Sequence, residues 1–337
     1  MKLRIFSALI TLFCSTAMGQ EIVRGEVKQN ISVLFIGNSY TFMNDMPFIF
    51  QKMAEAEGIN AYVDTVVQGG KNLQYHSTRK ETYEKINSRN WTYVVIQGHS
   101  NEFATPKTEI ETKSKMYLSR IIDSVRTNNS CTKVILYMTW AYKNGNKNWE
   151  PIDSYEKMQN MVKDNYLWMA KDFNTIISPV GYVWQDIRNK KKDLNLYIED
   201  EKHPNLYGSF ISAATFFMTI TKLSPIGNPI KIDLKPETKE FIEKEVYSIV
   251  SEYSKWRNNA PEFKLIPGFD VIVNNRNVRI LDNSLGGVSV SYKINNNLEF
   301  EQLAPEFNIT RKDNELIIQQ DVKDVCKSAT LIRKIEL

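Results

Sequence analysis

The chain has 337 residues, 42% hydrophobic and 24% charged, with a net charge of +4 at neutral pH. That is an ordinary globular composition, long enough for one large domain and a smaller one. A charge this small argues against nucleic acid or an acidic membrane surface as the partner.

The N-terminus reads MKLRIFSALITLFCSTAMGQE. Lys2 and Arg4 precede an apolar run from Ile5 to Phe13, and small residues lead to Ala17-Met18-Gly19. This pattern predicts a cleavable secretory signal over residues 1–19, and the run is too short for a membrane span. Cys14 raises a lipoprotein anchor, but Phe13 is a poor residue before a lipidated cysteine. The expected location is therefore secreted or periplasmic. Cleavage removes Lys2 and Arg4 and no acid, leaving a net charge of +2 from +4.

From Ile31 onwards, apolar runs alternate with amphipathic stretches. VLFIG predicts a buried strand, followed by a helix over Pro47–Glu57 that Gly58 ends. AYVDTVV predicts a second strand, stopped by Gly69-Gly70, and Tyr75–Ser88 a helix. TYVVIQ is the third strand, Lys107–Thr127 a long helix and KVILYMTW the fourth strand. A helix over Ser154–Phe173, a short strand in TIISPVG, and helices over Leu206–Leu223 and Pro236–Trp256 complete the series. Continuous apolar strands alternating with helices predict a parallel sheet covered on both faces, a three-layer α/β/α domain over residues 30–258.

After Arg257 the helical period disappears, and short runs such as FDVIVN, GVSVSYKI and ATLIRKIEL are separated by Asn, Asp and Gly. They predict a small all-β, sandwich-like domain over residues 261–337. It carries no motif with chemistry.

In open α/β sheets, ligands bind beyond the carboxyl ends of the strands. Four such ends carry polar residues or glycines: Asn38-Ser39, Gly69-Gly70, Gln97 to Asn101, and Thr139-Trp140. Ser39 is either a turn residue beside a helix cap or a nucleophile at a strand tip. A nucleophile needs a base, and EDEKHP offers Asp200 and His203 three residues apart. That spacing lets one loop aim the imidazole at Ser39 while Asp200 holds its other nitrogen. It also fits a capped helix with a surface histidine. No Cys-x-x-Cys or HExxH occurs, and three histidines are few for a metal site.

Together, FIGNSYT, VVQGGKN, VVIQGHSNE and EDEKHP, in that order, resemble the four blocks of the SGNH/GDSL hydrolase superfamily. The resemblance covers about Ile31 to Trp256 and implies a flavodoxin-like parallel sheet. It also implies Ser39 as nucleophile, His203 as general base and acid, and Asp200 as its orienting partner. The backbone N–H groups of Ser39 and Gly70 would be oxyanion donors. The third block departs from the family's Gly-x-Asn-Asp, so the third donor is Ser100 or, preferred here, the Gln97 carboxamide. Asn38 and His99 are expected to line the pocket, and Trp140 and Tyr142 to form a sugar-facing wall.

The resemblance implies a secreted serine esterase, with an O-acetylated carbohydrate as the expected substrate and no metal or organic cofactor. Rival readings are a lipase, thioesterase or methyl-esterase on the same machinery, and a non-catalytic carbohydrate binder. The sequence leaves the oligomeric state open.

Overall fold

The computed structural model describes residues 30–257 and, after them, 269–274, 277–282, 289–295, 298–300, 305–308, 315–323, 326 and 328–336. The expected signal and the stretch around 258–261 lie outside the described residues. The chain divides at Phe263–Lys264 into two compact units.

In the first unit, β1 (Asn30–Gly37), β2 (Asn60–Val67), β3 (Tyr93–Ile96), β4 (Lys133–Tyr137) and β5 (Ile176–Ser178) form one sheet. Its order is β2-β1-β3-β4-β5, and every pairing is parallel. The central strands β1 and β3 are apolar and buried almost throughout, as strands covered on both faces must be. Edge strand β2 instead mixes buried and exposed positions. Phe35 of β1 meets Phe50 and Phe216 edge-on, at 6.0 and 5.2 Å between ring centres.

Two groups of helices cover the sheet. In one, Leu206–Thr221 packs against Met46–Ala56 and Pro236–Arg257, and the last also meets Val180–Lys190. In the other, Leu73–Thr78 and Lys80–Asn87 pack on Lys115–Asn128. None of the described helices is long and apolar enough to cross a membrane.

Three elements differ from the sequence reading. Tyr75–Ser88 is two helices, because Arg79 between them is extended. The helix expected over Lys107–Thr127 breaks at Ser114. TIISPVG is not strand throughout: β5 ends at Ser178, and helix Val180–Lys190 follows Pro179. Val180, Val183, Trp184 and Ile187 are its buried face, at helical spacing.

The second unit holds two antiparallel sheets. The first joins β6 (Phe269–Asn274), β7 (Asn277–Asp282) and β10 (Glu306–Asn308). The other joins β8 (Ser289–Ile294), β9 (Leu298–Phe300), β11 (Glu315–Lys323) and β12 (Ser328–Glu336). Val278 and Ile280 alternate with exposed Arg279 and join Phe269, Tyr292 and Leu316 in a separate core.

Candidate active site

Strand order reverses between β1 and β3, since β2 lies on one side of β1 and β3 to β5 on the other. The carboxyl end of β1 therefore opens on a crevice, and Ser39 sits there. It is the first residue of a four-residue helix, Ser39–Phe42. The cap is Asn38, whose Oδ1 accepts the Tyr40 N–H at 3.1 Å. Capping thus occupies Asn38 and leaves the Ser39 hydroxyl for other work.

That hydroxyl lies 2.7 Å from His203 Nε2. His203 Nδ1 hydrogen-bonds to Asp200 Oδ2. The other Asp200 oxygen accepts the N–H groups of Lys202 and His203, each at 2.9 Å. Burial pushes the Asp200 carboxyl up, but the bonds from His203 and Lys202 outweigh it and hold it below the usual range. Asp200 therefore stays ionised beside the imidazole at neutral pH.

The loop that carries this pair is fixed by its own backbone. Ile198 N–H donates to His203 O at 3.0 Å, and Trp140 Nε1 donates to Lys202 O at 3.0 Å. Asn44, left-handed at φ 53° just after the nucleophile helix, donates from Nδ2 to Pro204 O at 3.2 Å. The nucleophile segment thus grips the loop of its base directly.

Beside Ser39 lies a cleft of about 250 Å3. Asn38, Gly70, His99 and Ser100 line it, as do Tyr142 and Lys202. Gly70 has φ +68°, the left-handed conformation that glycine adopts freely. The backbone N–H groups of Ser39 and Gly70 have no hydrogen-bond partner among the described residues. Ser100 Oγ lies 3.0 Å from Tyr142 OH, and His99 Nδ1 lies 2.6 Å from Asn101 Oδ1.

Two expected site residues stand elsewhere. Gln97 is fully buried and does not line the cleft. Its Oε1 accepts the Asn38 N–H at 3.0 Å and the Thr41 hydroxyl at 2.8 Å, and its Nε2 donates to Gly98 O. Swapping oxygen for nitrogen would set the amide against the Asn38 N–H, so this orientation is fixed by the network. The expected oxyanion donor is instead a clamp under the nucleophile turn. Gly37 makes room for it, since a Cβ there would come 2.7 Å from Gln97 Oε1 and 2.4 Å from Thr41 Oγ1.

Trp140 is also fully buried and forms no wall of the cleft. It is sandwiched between Tyr40, at 4.5 Å and 4°, and Trp184, at 4.0 Å and 5°. Tyr40 in turn meets the His203 ring edge-on at 5.4 Å. This aromatic column ties the nucleophile turn to the loop of the base. Tyr142, expected beside Trp140, does line the cleft, whereas Asn44 and Lys202 are site neighbours that motif matching missed.

The sequence matches no protein-family model and no curated protein. Solved structures do match. A DUF4886 family protein from Bacteroides uniformis aligns with a TM-score of 0.58 at 20% identity, over 66% of this chain and 95% of that one. The likeness is one of fold. A Slackia heliotrinireducens protein, described as a candidate SGNH hydrolase, has a TM-score of 0.48 at 23% identity, over 57% of this chain and 100% of that one. An acetyl xylan esterase has a TM-score of 0.46 at 16% identity, over 56% and 100%.

Proposed function

We propose that the chain is an exported serine esterase that removes O-acetyl groups from a carbohydrate. The observation that carries this reading is the line from Ser39 Oγ through His203 to Asp200 at the sheet's crevice. In the first step, Ser39 Oγ attacks the ester carbonyl while His203 Nε2 takes the hydroxyl proton. The oxyanion faces the N–H groups of Ser39 and Gly70, with the Ser100 hydroxyl as third donor in place of Gln97. His203 returns the proton to the leaving alcohol oxygen, and an acetyl-serine remains. Water then attacks that ester by the same route and releases acetate. Asp200 keeps the tautomer that presents Nε2 as base and stabilises the imidazolium.

A carbohydrate alcohol is supported by the polar lining of the cleft, with Asn38, His99, Ser100 and Tyr142 around Ser39. Export rests on the N-terminal sequence pattern.

The test compares wild type with Ser39→Ala on p-nitrophenyl acetate, then on acetylated polysaccharides with acetate as the readout. Wild type is expected to exceed the variant by at least about a thousandfold. Equal rates on every acyl ester would sink the reading.

A further inference from the structure

Among the described residues, no Asp or Glu lines the cleft beside Ser39, and the one Lys or Arg that does is Lys202. The acids next to it in sequence are engaged or turned elsewhere. Asp200 serves His203. Glu201 meets Lys143 Nζ at 3.5 Å and accepts from Asn144 Nδ2 at 2.8 Å. Glu199 does not line the cleft. Among the described residues, Lys202 Nζ has no carboxylate within ion-pair distance, unlike Lys143.

The direction of this side chain is set by its backbone. The Lys202 N–H is held by Asp200 Oδ1 and its carbonyl by Trp140 Nε1. The ammonium then lies 4.9 Å from the centre of the Tyr142 ring, whose hydroxyl is paired with Ser100 Oγ. It is laid along the cleft wall by a cation–π contact. A cation without a counter-charge, beside a nucleophile, favours a bound anion.

We propose that Lys202 selects acetyl esters whose alcohol part carries a carboxylate, as an acidic sugar does. This rests on the esterase reading of the same cleft. The charge belongs on the alcohol side, because an acetyl group has no room for one. A single ammonium matches a monoanion; a phosphate, with its greater charge and more acceptor oxygens, is better met by several cations or by the paired N–H donors of an arginine.

The test uses two substrates that differ in charge alone: the methyl glycoside of an O-acetyl-glucuronic acid and its neutral uronamide. Acetate release is measured for wild type, Ser39→Ala, Lys202→Gln and Lys202→Arg. Wild type is expected to prefer the acid by about tenfold in kcat/KM, chiefly through KM. The preference should shrink in about 0.5 M salt. Lys202→Gln should bring the ratio of the two substrates to unity, and Lys202→Arg should restore most of it. Equal kcat/KM on both substrates, or a preference that survives Lys202→Gln, overturns the proposal and leaves the esterase reading standing. If wild type releases acetate from neither substrate faster than Ser39→Ala does but hydrolyses p-nitrophenyl acetate, this proposal falls and the esterase reading stands; no turnover of any acyl ester brings down both.

Discussion

The two halves of the candidate site are built in opposite ways. The nucleophile turn is an interior structure: Asn38 is 2% exposed, Thr41 1% and Gln97 0%. Its polar groups are tied to one another by buried hydrogen bonds. The loop of the base is a surface structure, with the Asp200 and His203 side chains 40% and 30% exposed. It keeps its pose through backbone carbonyls held by Ile198 within the loop and by Trp140 and Asn44 outside it. Damage to the turn should therefore register first in stability. Damage to the loop should register first in turnover.

The largest expected effect tests the loop. Asp200→Asn should lower kcat by about 10^3–10^4, because the imidazole loses its orienting charge. The thermal midpoint should hardly move, since the carboxylate is half exposed. A drop in midpoint as large as that of a core variant would break the contrast.

Next comes acid sensitivity beneath the turn. His76 is 1% exposed, and among the described residues neither ring nitrogen has a hydrogen-bond partner. Burial pushes its pKa down to about 4, against a smaller upward pull from the Gly37 backbone. The unfolded chain, near 6.5, binds the proton more readily than the folded one. Stability is thus full above about pH 6.5, falls as the pH drops, and levels off below about 4. The loss should reach roughly 3 kcal/mol. Urea unfolding at a series of pH values measures it, and His76→Leu should flatten the curve over that window.

Gln97→Leu tests the clamp. It leaves the Asn38 N–H buried without an acceptor, at about 1–3 kcal/mol. Denaturant unfolding should show that loss. If Gln97→Leu leaves stability untouched and lowers only kcat, the carboxamide belongs to the oxyanion hole after all. The smallest effect is expected from Trp140→Phe, which keeps a ring in the column but drops the bond to Lys202 O. Stability should fall by about 1 kcal/mol, and kcat by a few-fold as the loop of the base loosens.

Much of the scaffold was legible because the central strands are unbroken apolar runs. The order of polar strand ends also pointed to one rim, where Ser39 and His203 meet across 164 positions of sequence. Trp140 was misread for an identifiable reason. Its stacking partner, Trp184, lies on helix Val180–Lys190, whose start is masked in the sequence by the Pro179 that follows β5. Without that helix, an aromatic after a strand tip looked free to face a ligand. Gln97 lies beneath the turn and not on the cleft; spacing gives a side chain's address but not its direction. Gly37 leaves the space that lets the carboxamide turn inward, and that packing has no one-residue signature. The break at Ser114 interrupts a stretch whose composition favours helix, so local propensity could not announce it.

The grip on the carbonyls of Lys202, His203 and Pro204 has an evolutionary corollary. A loop held by its main chain keeps its shape when its side chains change, because every residue type brings the same carbonyl. Position 202 is thus a site where related sequences can drift to new substrate preferences while the neighbouring base stays in register.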